Sequence, residues 1–187
     1  PSLWDTARSW LSRTPIMGSS PENADDDEVV RSYVEAHISA QVQHGEEMAA
    51  RMSKWGMGDS DAMKARFASI AQGARDFLMP EGEIDRARAG LLFIESYRDL
   101  PLLSWPRTLI DRMIELEESM VKWRHSHARM VERIIGRRIG TGGSSGVDYL
   151  DATTSYRVFT DLWSVRTILI RPDLRPKLIN PEFYGFA

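Results

Sequence analysis

Between Arg107 and Ile135 the residues Met113, Leu116, Met120, Trp123, His127, Met130 and Ile134 follow one another at intervals of 3, 4, 3, 4, 3 and 4. That alternation sets all seven on one face of a long α-helix and does not suit the two-residue period of a strand. A stripe of this kind must be covered, so the pattern predicts an all-α chain built as a bundle of long helices. The rest of the sequence agrees. A short amphipathic helix is predicted from Leu3 to Arg13, stopped by Pro15, and a polar, acidic loop from residue 18 to 28. Asp25 to Asp27 offer N-caps and favourable negative charge to a helix from Glu28 to Lys54. Further helices are predicted over Ser60–Leu78, Ile84–Tyr97 and, after Pro106, Arg107–Ile135. Leu150, Val158, Leu162, Val165 and Leu169 predict a sixth helix from Val147 to Ile170, and Pro172, Pro176 and Pro181 then break up an irregular tail.

Composition narrows the chemistry. The 187 residues suit one helical domain, and no run approaches the roughly 18 apolar residues of a membrane span. The formal charge of −3 argues against a dedicated nucleic-acid binder, and with no signal peptide the expected location is cytoplasmic. The absence of cysteine excludes disulfides, thiolate nucleophiles and cysteine-ligated haem. Any nitrogen-ligated metal must draw on His37, His44, His125 and His127. His37 and His44 lie seven apart on one helix face, where solvated or capping roles are expected. His125 is about 200° round the helix from His127, so the two cannot share a site.

His127 occupies a position in the stripe where a hydrophobe is expected. Burial favours the neutral imidazole, the form that binds a metal. Trp123, Met120 and Met130 would give a flat, polarisable wall suited to a planar macrocycle. The same residues read equally as ordinary core around a hydrogen-bonded histidine, and spacing leaves both readings open. Lys122, Arg124, Arg129, Arg133, Arg137 and Arg138 gather toward the helix C-terminus. They complement the helix dipole there, or they neutralise carboxylates of a bound cofactor or substrate; the two roles are compatible.

Thirteen residues after His127 begins Gly140-Thr141-Gly142-Gly143-Ser144-Ser145-Gly146, with four glycines and three hydroxyls in seven positions. Glycine permits positive φ, so backbone N–H groups can turn inward and line an anion-sized concavity, while the hydroxyls add donors. A flexible Gly/Ser linker is the other reading of the same run.

Together these segments resemble a known family. The run Lys122-Trp123-Arg124-His125-Ser126-His127, then Met130-Val131, Arg133, Gly136, the glycine-rich run from Gly140 to Gly146, and Tyr149-Leu150 are similar to tryptophan 2,3-dioxygenases. The likeness extends to Pro1-Ser2-Leu3-Trp4-Asp5, Tyr97-Arg98, Pro101, Tyr156-Arg157-Val158-Phe159 and Asp161-Leu162-Trp163. It is strong from about residue 88 to 170 and loose between 18 and 83. The resemblance implies that the whole chain corresponds to the C-terminal, haem-ligating half of such an enzyme, its helices surrounding a haem pocket. It implies haem b, with His127 as the iron ligand and Trp123, Met130 and Gly140 against the cofactor. It implies that Thr141, with a catalytic role, binds substrate together with Gly142 and Ser144. Insertion of O2 across the indole C2–C3 bond of L-tryptophan, giving N-formylkynurenine, is the implied reaction, with the kynurenine pathway its setting. The chemistry belongs chiefly to the haem, and a neutral histidine lacks the electron push by which a thiolate promotes O–O cleavage.

Two departures accompany the likeness. Members of the family usually carry an aromatic residue where this chain has His125. Their distal-pocket residues lie upstream of the segment that Pro1 matches, so a separate N-terminal chain or a cleaved portion is expected to supply them. A homotetramer is implied, with the apolar segment from Pro1 to Leu11 as a contact. Mono-oxygenation of a tryptophan derivative in secondary metabolism, a non-catalytic haem-binding sensor bundle, and a helical scaffold without cofactor are the alternative readings.

Overall fold

Residues 2–56, 59–136, 138 and 146–185 are described by a computed structural model. They form seven α-helices: α1 (Leu3–Leu11), α2 (Asp26–Lys54), α3 (Ser60–Leu78), α4 (Arg86–Ser96), α5 (Ser104–Ile135), α6 (Val147–Thr153) and α7 (Thr160–Ser164). Short 3-10 turns occur at Pro80–Gly82, Pro101–Leu103, Val165–Ile168, Pro172–Leu174 and Pro181–Tyr184. The expected all-α class holds. The described residues group into two compact units, one drawn from 1–107 and 161–187, the other from 108–160.

In the first unit α4 is the most deeply placed helix, with every residue from Ala89 to Ser96 buried. Asp85 starts it, its side chain accepting the N–H groups of Ala87 and Arg88 at 3.1 Å each. Gly90 lets α1 approach closely: a Cβ at that position would lie 2.2 Å from the carbonyl oxygen of Leu11. A chain of charges ties the same region together. Arg8 on α1 meets Asp85 at 2.6 Å and Asp161 at 2.7 Å, and Arg88 on α4 meets Asp161 at 3.1 Å. Such a part-buried knot adds little net stability when whole, but removing an arginine would leave a largely buried carboxylate unpaired.

The acidic loop ends earlier than expected. Asp26 already belongs to α2, is buried, and pairs with Arg86 at 3.0 Å. Asp25 precedes the helix without a side-chain capping bond. The tail is also less loose than its prolines suggest. Tyr184 is fully buried against Phe93, its ring centre 5.5 Å away. Its hydroxyl donates to the Pro15 carbonyl and accepts the Gly18 N–H, both at 2.8 Å.

His37 corrects a second expectation. It is completely buried on α2, and its Nε2 lies 2.9 Å from the Ile168 carbonyl oxygen. Burial holds its pKa below the ordinary histidine value, while the bond to Ile168 acts in the opposite direction. The heptad spacing from His44 said nothing about which face of α2 would be packed.

In the second unit the expected helix from Val147 to Ile170 is interrupted. It stops at Thr153, and the chain resumes helix only at Thr160. The hydroxyls of Thr153, Thr154 and Ser155 donate to the carbonyls of Leu150, Asp151 and Ala152, competing with the continuing ladder. Residues on α5 then satisfy the freed backbone. The buried Glu117 carboxylate accepts the N–H groups of Val158 and Phe159, the latter at 3.0 Å. Arg124 donates to the carbonyls of Thr153 and Tyr156 at 3.3 and 2.9 Å.

Candidate functional site

The site begins with which face of α5 is packed. Ile110, Met113, Glu117 and Ala128 are buried, with Val121 and Arg124 half-buried between them. These form a stripe rotated by about 90° from the one that the apolar spacing picks out. Met113 is common to both. Beyond it, the expected stripe is open to solvent: Leu116 is 45%, Trp123 65%, Met130 50% and Ile134 74% exposed. So α5 carries two faces of different use. One is closed by glutamate and arginine bonds to residues 153–159, and the other presents large apolar side chains outward. Contiguous exposed apolar surface of this kind marks binding sites more often than it marks ordinary surface.

His127 lies within the exposed stripe and is itself half-buried. Its ring stacks on Trp123, one turn earlier, with centroids 5.2 Å apart and planes within 6° of parallel. Among the described residues neither ring nitrogen has a hydrogen-bond partner. Stacking covers a face of the imidazole, whereas a bond to a metal forms in the ring plane. Trp123 therefore fixes the ring without obstructing its nitrogens. His125 is exposed and belongs to a different flank, a groove of about 520 Å3 that it shares with Ser126, Arg129 and Arg133 and that Met130 and Ile134 border.

The basic residues divide in the same way. Arg124 is engaged with the backbone of residues 153–156, and Arg129 pairs with Asp151 of α6 and with Glu132. Among the described residues Lys122 and Arg133 have no ion-pair partner. Thr141, Gly142 and Ser144, the expected substrate contacts, and Gly140, the expected cofactor contact, lie outside the described residues. Both borders of that stretch are described. Gly136 closes α5 at φ 65° and Gly146 opens α6 at φ 57°, ψ −105°, backbone settings that favour glycine.

These residues suit a haem. An imidazole whose nitrogens have no partner among the described residues, a flat indole beside it and an apolar surface along the helix are a lining that would hold a flat, iron-bearing cofactor through His127. Among the described residues no three His, Asp or Glu side chains gather as an ion cage. Sequence reasoning missed the roles of Glu117, which accepts the N–H groups of Val158 and Phe159 just before α7, and of Asp161, which pairs with Arg8 and Arg88. Glu117 carried a signal: it continues the Ile110–Met113 spacing, so a carboxylate stood in an apolar stripe.

Comparison with known proteins places these features in a family context. The family model for tryptophan 2,3-dioxygenase matches residues 1–169. Over its full length the chain is 45% identical to a tryptophan 2,3-dioxygenase-like protein of Xanthomonas campestris pv. campestris (strain 8004), covering 72% of that protein. It is 46% identical to tryptophan 2,3-dioxygenase 2 of Ralstonia nicotianae and 43% identical to a tryptophan 2,3-dioxygenase of Sorangium cellulosum. The chain spans about half the length of these last two, 53% and 47%.

Proposed function

The chain belongs to the tryptophan 2,3-dioxygenase family, a family of oxidoreductases, and from that membership we propose that it is the haem-ligating part of a dioxygenase acting on L-tryptophan. The proposed reaction places both atoms of O2 across the indole C2–C3 bond and yields N-formylkynurenine, as in tryptophan catabolism by the kynurenine route. One observation carries this reading. His127, whose ring nitrogens have no partner among the described residues, stacks on Trp123 in an apolar stripe that α5 turns away from its own packing.

In this reading His127 ligates the iron of haem b, and Trp123 and Met130 line the macrocycle. Gly140 gives the backbone room to approach it. Haem supplies activation of O2 when bound; the protein orients the substrate and excludes water. Thr141, Gly142 and Ser144 hold the ammonium and carboxylate groups of the amino acid, a task for which backbone N–H groups and hydroxyls are chemically suited. Among the described residues Arg133 and Lys122 have no ion-pair partner and would be available to carboxylates. The residues of the opposite side of the pocket are supplied by a further portion of polypeptide, and the assembly is a homotetramer acting in the cytoplasm. No helix among the described residues is long and apolar enough to cross a membrane.

The test is incubation of the reduced, haem-loaded protein with L-tryptophan under 18O2. Two labelled oxygens in the product are expected; one labelled oxygen signals mono-oxygenation, and a tryptophan-perturbed spectrum without product signals a sensor. In parallel, His127→Ala should abolish stable haem binding and His125→Ala should retain it. Equal losses would remove His127 from the iron.

A further inference from the structure

Far along the sequence from α5, helices α2 and α3 of the first unit enclose an elongated groove of about 700 Å3. Its floor is apolar, with Ile38, Val42 and Gly45 contributed by α2 and Phe67, Ala68 and Ala71 by α3. The volume falls within the roughly 300–1,000 Å3 usual for small-molecule sites. Gly45 marks where the helices come nearest, since a Cβ there would stand 2.7 Å from Cβ of Phe67. Glu46 and Lys64 also line the groove, toward the end beside Phe67, and Lys64 pairs with Asp61 at 3.8 Å.

The opposite end is different. Arg75 lines it, is exposed, and has no hydrogen-bond or ion-pair partner for its guanidinium among the described residues. The nearest carboxylate along α3, Asp76, does not line the groove and accepts the amide of Gln72 at 2.7 Å. The trough thus has an apolar length, with a guanidinium unpaired among the described residues at one end and an acidic and a basic side chain at the other.

We infer that this groove binds a medium-chain alkyl carboxylate, with its head on Arg75 and its tail over the floor toward Phe67. A guanidinium grips a carboxylate through two parallel N–H bonds, which fixes the direction of entry. Arg75 and Phe67 are eight residues apart on one helix, so the tail has about 12 Å to run at about 1.5 Å per residue. Carbon–carbon bonds of about 1.5 Å in a zig-zag place about ten carbons in that span. The site shares no residue with the His127 stripe, so it stands apart from the haem-dependent reading.

Isothermal titration of the full chain with sodium decanoate tests this, with decyltrimethylammonium as the comparator of opposite charge. Decanoate should bind once per chain and at least about tenfold more tightly than the cation, the weight of one charge-assisted bond. Arg75→Gln should remove that preference. Ala68→Trp, at an exposed position, should fill the groove and abolish binding while the unfolding temperature is kept. Absence of binding heat, equal affinity for the two probes, or decanoate binding that survives both substitutions overturns the proposal.

Discussion

His37 and His127 lie on the two longest helices of the chain and are treated in opposite ways. Around His37 the structure is closed. The ring is buried, one nitrogen is bonded to Ile168, and its helix packs in the unit whose central strut, α4, is almost wholly buried. Around His127 the structure is open, with ring nitrogens that have no partner among the described residues and with Leu116, Trp123, Met130 and Ile134 exposed on the same face. A fold needs its buried polar groups bonded and its large apolar groups hidden. The first region hides its large apolar groups, although Nδ1 of His37 has no hydrogen-bond partner among the described residues, whereas the second leaves its large apolar groups open; the first is explained by stability and the second by binding.

Substitutions can break that contrast or sharpen it. The largest effect is expected at Gly90, where Gly90→Ala forces a Cβ against the Leu11 carbonyl and should cost about 3 kcal/mol in denaturant unfolding. A cost below that of an ordinary surface change would mean that α1 and α4 separate freely. Next comes Glu117→Ala, which strips the acceptor from the N–H groups of Val158 and Phe159 and should cost about 2 kcal/mol. Its readout is faster amide exchange at Val158 and Phe159 together with a lower melting temperature.

The third expectation concerns pH. Burial lowers the folded pKa of His37 below its ordinary value of 6.5, so the unfolded chain takes up a proton first as pH falls. The stability tied to this residue is complete above pH 6.5 and declines below it, by up to about 1.4 kcal/mol per pH unit. His37→Gln should remove that slope in urea titrations between pH 7 and 5, and an unchanged slope would assign the effect elsewhere. The smallest effects are expected on the open stripe. Without haem, Leu116→Ser and His127→Ala should each shift stability by less than about 0.5 kcal/mol. A loss of several times that size would turn the stripe into ordinary core and remove the contrast.

Much of this was legible in the residues. Helical periodicity and proline punctuation placed α1 to α5 with shifts of a few residues, because those cues act through the local backbone. The Trp123–His127 pair was legible for the same reason, since four residues make one turn. What failed was long-range. Nothing local indicates which of two apolar stripes on α5 becomes buried, nor that Glu117 would reach across to residues 158 and 159 and divide a helix whose spacing is unbroken. The burial of His37 depends on the Ile168 carbonyl, 131 positions away. The tail looked irregular because its anchor, Tyr184, is held by partners near Pro15 that no window of sequence contains.

The parallel rings of Trp123 and His127 have a thermodynamic consequence. A side chain that must stop rotating when it captures a partner surrenders entropy at that moment, and the complex is weakened by the amount lost. Here the indole already lies parallel to the imidazole within a single helical turn, which restricts the tilt of the ring. Part of the ordering is thus settled during folding, and whatever the histidine captures meets a ring that has less freedom left to lose.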